Sequence, residues 1–152
     1  MGGALLLTVA TLVAMGQRLV VFHLVALLLV NYIDTGKIRF ELREVYFDRF
    51  GLWAAMIARC GGDMRYYGIV DMVFKQQQKW VGDGSDPALV AANLRKIGLT
   101  AGLDNAAMDA CLNDAKTAEA LVARFEEHAQ ADGLEGTPTF FINGTKHSNM
   151  SY

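Results

Sequence analysis

Gly136-Thr137-Pro138-Thr139-Phe140-Phe141-Ile142-Asn143-Gly144 is the segment around which the rest of the chain is organised. The apolar run after Pro138 is too short for a helix, is rich in strand-forming residues and is bounded by turn residues, so it predicts a buried strand. Pro138 cannot donate a hydrogen bond to a sheet, so we expect it at the first residue of that strand. Asn143-Gly144 predicts a tight hairpin turn, because both residues tolerate positive φ.

Length and charge limit the classes of protein that this chain can represent. Its 152 residues suit one domain with a sizeable apolar core. The net charge is -2 and the charges are spread without runs. Because no cluster of Arg and Lys is present to neutralise phosphates, the sequence argues against a nucleic acid partner.

The N-terminal segment, residues 4–30, is almost wholly apolar, and Arg18 is its one formal charge. A membrane span needs about 20 such residues, and the cost of Arg18, about 2.5–3.5 kcal/mol, is outweighed by the many Leu and Val residues. The same residues also fit a strand over Leu5–Val13, a turn at Gly16-Gln17 and a helix from Arg18 to Tyr32. A secretory signal fits less well, because no positive residue precedes the apolar core and no small-x-small cleavage site follows it.

The middle of the chain changes from strand to helix periodicity. Ile38, Phe40 and Leu42 alternate with charged residues, which predicts a half-buried strand. A turn is expected around Asp48 and Gly51. Helical spacing follows, with Asp63 and the Asp86-Pro87 pair as N-terminal caps. The expected helices are Leu52–Cys60, residues 63 to about 80, residues 87–98, residues 103–112 and residues 117–131.

The order of these elements predicts the fold class. Strands before and after a block of helices indicate one α+β or α/β unit that carries a helical insertion. The two cysteines, Cys60 and Cys111, are too few and too far apart for a zinc site. They fit a single disulfide, two free thiols or two buried small apolar side chains.

Several segments, taken in order, resemble the DsbA-like thiol–disulfide oxidoreductases, which have a thioredoxin fold with an inserted helical domain. The matching segments are Tyr32–Phe40, Asp48–Ala55, Ala106–Leu112 and Thr137–Gly144. The resemblance implies a thioredoxin-like fold that is incomplete at both ends. It divides the chain into an apolar N-terminal segment (1–30), a thioredoxin-like core (31–50 and 132–152) and a helical insertion (51–131).

The chain departs from this family at the residues that carry its chemistry. The family uses a Cys-x-x-Cys motif at the start of its first helix, where the helix amides and dipole stabilise a thiolate that attacks a disulfide. This chain has no such motif. Phe22-His23 resembles the pair that often follows the motif, and this alignment puts Gly16 and Leu19 in the two cysteine positions. A frameshift or miscalled start, together with truncation at the other end, is the hypothesis that explains both departures.

The resemblance also implies the remaining roles. Thr137 and Pro138 are expected to form a cis-proline site that offers its backbone to an extended polypeptide substrate, while Cys60 and Cys111 match an extra, non-catalytic disulfide found in some relatives. No cofactor and no metal site is expected, since His23, His128 and His147 lack metal-ligand spacing. The sequence therefore predicts a redox-inactive family member, with a membrane-tethered or free binding module as the alternative. The implied location is the periplasm or the membrane, or the cytoplasm if residues 4–30 neither target nor anchor the chain.

Overall fold

A four-stranded mixed sheet organises the first part of the fold. The computed structural model describes residues 5–11 and 29–148, with side chains described from residue 31 to residue 147. The strand order is β2-β1-β3-β4, with β1 parallel to β2 and antiparallel to β3, and β3 antiparallel to β4. The strands are β1 (Leu5–Thr11), β2 (Ile38–Glu44), β3 (Thr139–Ile142) and β4 (Thr145–Ser148).

One face of this sheet carries an apolar cluster. Ile38 and Phe140 are buried, and Phe40 and Ile142 pack against Phe140. The alternation read from the sequence places Phe40 on this face, and the structure confirms it. Side-chain contacts of this kind on one face add to the stability that the strand hydrogen bonds give the sheet.

The β3–β4 hairpin forms at the predicted residues. Ile142 pairs with Thr145, so the turn contains only Asn143 and Gly144. Their φ angles are 51° and 81°, which is the conformation that a two-residue primed turn requires. The hairpin makes β4 an edge strand, as the sequence predicted.

Six α-helices lie between β2 and β3 in the described part of the chain. A single π-helical turn, Leu29–Ile33, precedes β2. The helices are α1 (Arg49–Cys60), α2 (Asp63–Lys75), α3 (Gln77–Val81), α4 (Pro87–Thr100), α5 (Asn105–Leu112) and α6 (Ala115–Ala131).

Aspartate caps begin four of these helices. The side chains of Asp48, Asp86, Asp104 and Asp114 each accept a hydrogen bond from an amide in the first turn of the helix that follows. Pro87 occupies the start of α4, where its missing N–H is tolerated. The Asp86-Pro87 start and the start at Asp104 agree with the sequence prediction.

Several local predictions differ from the structure. Gly51 does not turn the chain but lies in the first turn of α1, where its amide donates to Asp48. Asp63 is the first residue of α2, and Gly62 is its N-cap. The helix expected up to Trp80 breaks at Gln76, and the Trp80 indole then donates to the Val73 carbonyl over 2.8 Å.

The chain divides into two compact units at Val45/Tyr46 and at Glu126/Glu127. The sheet unit contains the four strands. The helical unit, residues 46–126, has its own core, in which Ile57, Ile69 and Met108 are almost completely buried. Among the described residues, no helix is both long enough and apolar enough to cross a membrane.

The N-terminal segment has a strand where one of its readings placed one. β1 covers most of the expected Leu5–Val13 and lies between β2 and β3. The turn at Gly16-Gln17 and most of the expected helix, residues 18–28, lie outside the described residues. The membrane span over residues 4–30 lies largely outside them as well.

Candidate functional site

The candidate site is the segment that enters β3. The Thr137–Pro138 peptide bond is cis, and both residues are half-buried. Within the described part of the chain, pairing of β3 with its neighbours begins at Thr139, opposite Ala10 of β1 and Ser148 of β4. Thr137 and Pro138 therefore lie just before the paired region of the sheet.

Thr139 holds this entry segment to the strand. Its side chain is only 4% exposed, and its Oγ1 hydroxyl donates a hydrogen bond of 2.5 Å to the Gly136 carbonyl. This bond closes a turn around Thr137 and Pro138. Buried Phe140 follows directly, so the segment is anchored on its C-terminal side by both a hydrogen bond and the apolar cluster.

The pre-proline loop, residues 132–138, connects the end of α6 to β3. Its start is a helix C-terminal motif in which the Leu134 amide donates to Ala129 and the Gly133 amide to Gln130. Gly133 has a φ of 55°, the left-handed conformation that this motif needs.

Two basic side chains from the opposite edge strands bind this loop. Arg43 of β2 donates from Nη1 to Asp132 Oδ2 over 2.8 Å and from Nε to Glu41 Oε1 over 2.8 Å. Lys146 of β4 donates from Nζ to the Gly133 carbonyl over 2.5 Å. The loop is thus held at its first two residues from the two edges of the sheet.

The charge of Arg43 is secured by its neighbours. Partial burial by itself would lower the pKa of Arg43, but the hydrogen bond and negative charge of Glu41, with those of Asp132, raise it above its ordinary value. Arg43 is therefore a cation in its contacts with Glu41 and Asp132.

Cys60 and Cys111 lie in the helical unit and are joined by a disulfide. Their Cα atoms are 5.9 Å apart, within the usual range for such bonds. The bond links the last residue of α1 to α5, and both residues are half-buried. Gly16 and Leu19, the proposed positions of the missing cysteine pair, lie outside the described residues.

Metal binding finds no support in the part of the chain that the structure describes. No group of three or more His, Cys, Asp or Glu side chains comes together there. His128 lies near the end of α6 and His147 in β4.

Local sequence patterns do not reveal the two contacts that hold the pre-proline loop, Arg43 with Asp132 and Lys146 with Gly133. Arg43 and Asp132 are 89 residues apart, so no local spacing relates them. Arg43 carried one signal, since its position on an alternating strand puts it on the face opposite Phe40. The partner on that face is decided by the path of α6, which local sequence patterns do not give.

Comparison with known proteins identifies the family. Residues 21–152 match the sequence model of a family described as thioredoxin. A Rickettsia typhi protein named "Putative protein-disulfide oxidoreductase" is 36% identical over 122 residues, which is 80% of this chain and 44% of that protein. A Rickettsia bellii protein with the same description is also 36% identical, over 80% of this chain and 46% of its own length. The chain spans about half the length of these relatives.

Solved structures share the fold. Wolbachia pipientis alpha-DsbA1 superposes with a TM-score of 0.78 at 24% identity, over 96% of this chain and 78% of that one. A protein-disulfide isomerase from Novosphingobium aromaticivorans gives 0.80 at 20% identity, over 96% and 85% of the two chains. These likenesses confirm the expected thioredoxin-like fold with its large helical content. Taken with the sequence match, they show that this chain belongs to the DsbA-like thioredoxin-fold family.

Proposed function

We propose that this 152-residue polypeptide binds extended polypeptides at Thr137–Pro138 without exchanging disulfides. The observation that carries the proposal is that the segment that enters β3 and the two cysteines lie in different units of the chain. The segment that enters β3 is held by the hydrogen bond from Thr139 to Gly136. Both cysteines of the chain are bonded to each other in the helical unit.

Backbone geometry supports peptide binding. The paired part of β3 begins at Thr139. The hydrogen bond from Thr139 to Gly136 closes a turn that holds Thr137 and Pro138 in place. An extended peptide that lies beside Thr137 can exchange backbone hydrogen bonds with it as a short added strand. Such bonds do not depend on side-chain identity, so the expected ligand is an unfolded polypeptide of broad sequence.

Sulfur chemistry supports the absence of exchange. Disulfide exchange needs a thiolate that can attack and a second thiol that resolves the mixed disulfide. The chain contains two cysteines, and no Cys-x-x-Cys pair is among its residues. The bond between Cys60 and Cys111 leaves no free thiol in the described residues.

The binding proposal is tested with a fluorescently labelled, reduced and alkylated polypeptide, which is unfolded and has no free thiol. We expect saturable binding by fluorescence anisotropy, and Pro138→Ala should raise the dissociation constant by about tenfold or more, equivalent to about 1.4 kcal/mol. Pro87→Ala is the matched control, since Pro87 is the other proline of the chain and starts α4. Absence of saturable binding, or an equal loss in both variants, would refute the proposal.

The redox proposal is tested by insulin reduction in the presence of dithiothreitol. We expect the rate to equal that of dithiothreitol alone, both for the natural sequence and for a Cys60→Ser, Cys111→Ser variant. A faster rate that disappears in the double variant would show that this disulfide takes part in exchange.

The proposed compartment is an oxidising one, namely the periplasm or its membrane surface. A disulfide between Cys60 and Cys111 supports this, because such bonds persist mainly in oxidising compartments. Cell fractionation followed by thiol alkylation and mass measurement tests it. Recovery of the protein from the cytoplasm with two alkylated thiols would contradict it.

A further inference from the structure

Both edge strands of the sheet reach the start of the pre-proline loop on the same face. Along the strand register, Arg43 is in line with Ala10 and Thr139, and Glu41 is in line with Thr8, Phe141 and Lys146. Residues in line across a sheet project to the same face. Arg43 and Lys146 therefore approach Asp132 and Gly133 from the two edges of one face, the face that also carries Thr139.

The negative charge of Asp132, which follows the last residue of α6, is not favoured by that helix. An acidic side chain at a helix C-terminus is unfavourable, because the helix dipole is negative there. Asp132 follows directly after α6. The positive Arg43 guanidinium offsets both the negative charge of Asp132 and the negative end of the helix dipole. The contact is well shielded, since the side chains of Arg43 and Asp132 are each only 24% exposed.

Lys146 also holds the start of the pre-proline loop, through a hydrogen bond to a backbone carbonyl. Its ammonium group binds the carbonyl of Gly133, the second residue after the end of α6. A cation is favourable at that position. The loop is thereby fixed at residues 132 and 133 by charge and at residues 136 and 139 by the threonine hydrogen bond.

We propose that Arg43 and Lys146 are positioning residues, which hold the pre-proline loop so that the backbone of Thr137 is presented in one conformation to a bound polypeptide. This inference rests on the proposed function for its consequence, which is peptide affinity. Its structural part, the restraint of residues 133–139, is measured without any ligand.

Hydrogen exchange followed by mass spectrometry tests the restraint. We expect Arg43→Met, which removes a part-buried charged hydrogen bond, to speed exchange in residues 133–139 by about fivefold to tenfold. Lys146→Met removes an exposed contact and should speed that exchange by about twofold to fivefold. Exchange in α4, which lies in the helical unit, should not change. The conservative variants Arg43→Lys and Lys146→Arg should keep most of the protection, because each retains the charge.

Arg39→Met is the matched control. Arg39 lies on the same strand and is 3.7 Å from Glu41, but its side chain is 73% exposed. If this control speeds exchange as much as Arg43→Met does, or if Arg43→Met leaves residues 133–139 unchanged, the proposal is overturned.

The dissociation constant for the unfolded polypeptide gives the functional part. We expect Arg43→Met and Lys146→Met to raise it about as much as they raise the exchange rate, while Arg39→Met leaves it unchanged. Changed exchange with unchanged affinity would overturn the positioning role and leave a purely structural clamp. A natural-sequence protein that binds no peptide would refute the proposed function, and the exchange data would still decide whether the clamp exists.

Discussion

Thr139 joins the strand to the site through a single buried hydroxyl. As a β-branched residue it suits a strand, and at 4% exposure its hydroxyl needs a partner inside the protein. The Gly136 carbonyl supplies that partner. Threonine therefore serves both the sheet and the turn around Pro138, which valine could not do.

Thr139→Val tests this double role because it keeps the shape of the side chain and removes only the hydroxyl. We expect the free energy of unfolding to fall by about 1–2 kcal/mol, since a buried hydrogen bond is lost and the carbonyl keeps no equivalent partner. Peptide affinity should fall as well. Chemical denaturation and anisotropy measure the two effects.

Thr145→Val is the control for that variant. Thr145 is an exposed residue of β4, so its substitution should change stability by less than about 0.5 kcal/mol. Equal effects of the two substitutions would contradict a special role for Thr139.

Single residues also show which parts of the site could be foreseen. Asn143-Gly144 could be placed from the sequence, because residues that tolerate positive φ mark a tight turn locally. Pro138 was expected as the first residue of the strand, but it lies one residue before β3, since pairing begins at Thr139. Thr139 was foreseen only as a strand residue, and its bond to Gly136 was not. Asp132 gave no signal, since its partner is distant in sequence.

Helix boundaries were predicted best where the side chain that caps the helix is adjacent in sequence. The Asp86-Pro87 start of α4 is of this kind. The break at Gln76 was missed, because the Val73 carbonyl is satisfied by the Trp80 indole rather than by continuation of the helix. Such a replacement depends on how α3 folds back, which periodicity alone does not reveal.

The packing of α4 against α5 depends on a glycine within the helix. A Cβ atom on Gly98 would lie 2.4 Å from the Sδ atom of Met108 and 3.4 Å from Leu103. Met108 is fully buried, so it has little room to move away. Gly68 in α2 offers a contrast, since no heavy atom lies within 4 Å of the position that its Cβ would take.

Alanine at these two glycines should therefore have opposite effects on stability. Gly68→Ala should stabilise the protein by about 0.5–1 kcal/mol through helix propensity alone. Gly98→Ala gains the same propensity, but overpacking against Met108 costs about 1–3 kcal/mol, so we expect net destabilisation. Thermal unfolding of both variants measures this, and stabilisation by Gly98→Ala would show that the α4–α5 contact is loose.

Over the whole molecule, the disulfide belongs to the helical unit, and the proposed polypeptide site, Thr137–Pro138, belongs to the sheet unit. The two therefore have separate consequences. The sulfur bond is expected to affect stability, while the affinity for polypeptides should depend on the segment before β3.

Reduction of the disulfide should destabilise the protein. Cys60 and Cys111 are separated by 51 residues, and closing a loop of that length removes up to about 4 kcal/mol of unfolded-state entropy in the chain-entropy model. We expect dithiothreitol to lower the denaturant midpoint of the natural sequence. The Cys60→Ser, Cys111→Ser variant should have the lower midpoint with or without reductant. A natural-sequence midpoint that does not respond to reductant would contradict the stabilising role.

The general architecture, strands enclosing a block of helices, followed from the order of the sequence patterns. The strand order did not, because the place of β1 between β2 and β3 is decided by pairing between distant segments. The absence of Cys-x-x-Cys, in contrast, is read directly from the chain.

Binding of polypeptides just before β3 is tested most directly by an NMR titration of the ¹⁵N-labelled protein with an unfolded, reduced and alkylated polypeptide. We expect the first and largest amide shifts at Gly136, Thr137 and Thr139. Pro138→Ala should require about tenfold or more polypeptide to produce them, while Pro87→Ala should not change the titration. Shifts confined to residues 46–126, or no shifts at saturating polypeptide, would contradict this binding site.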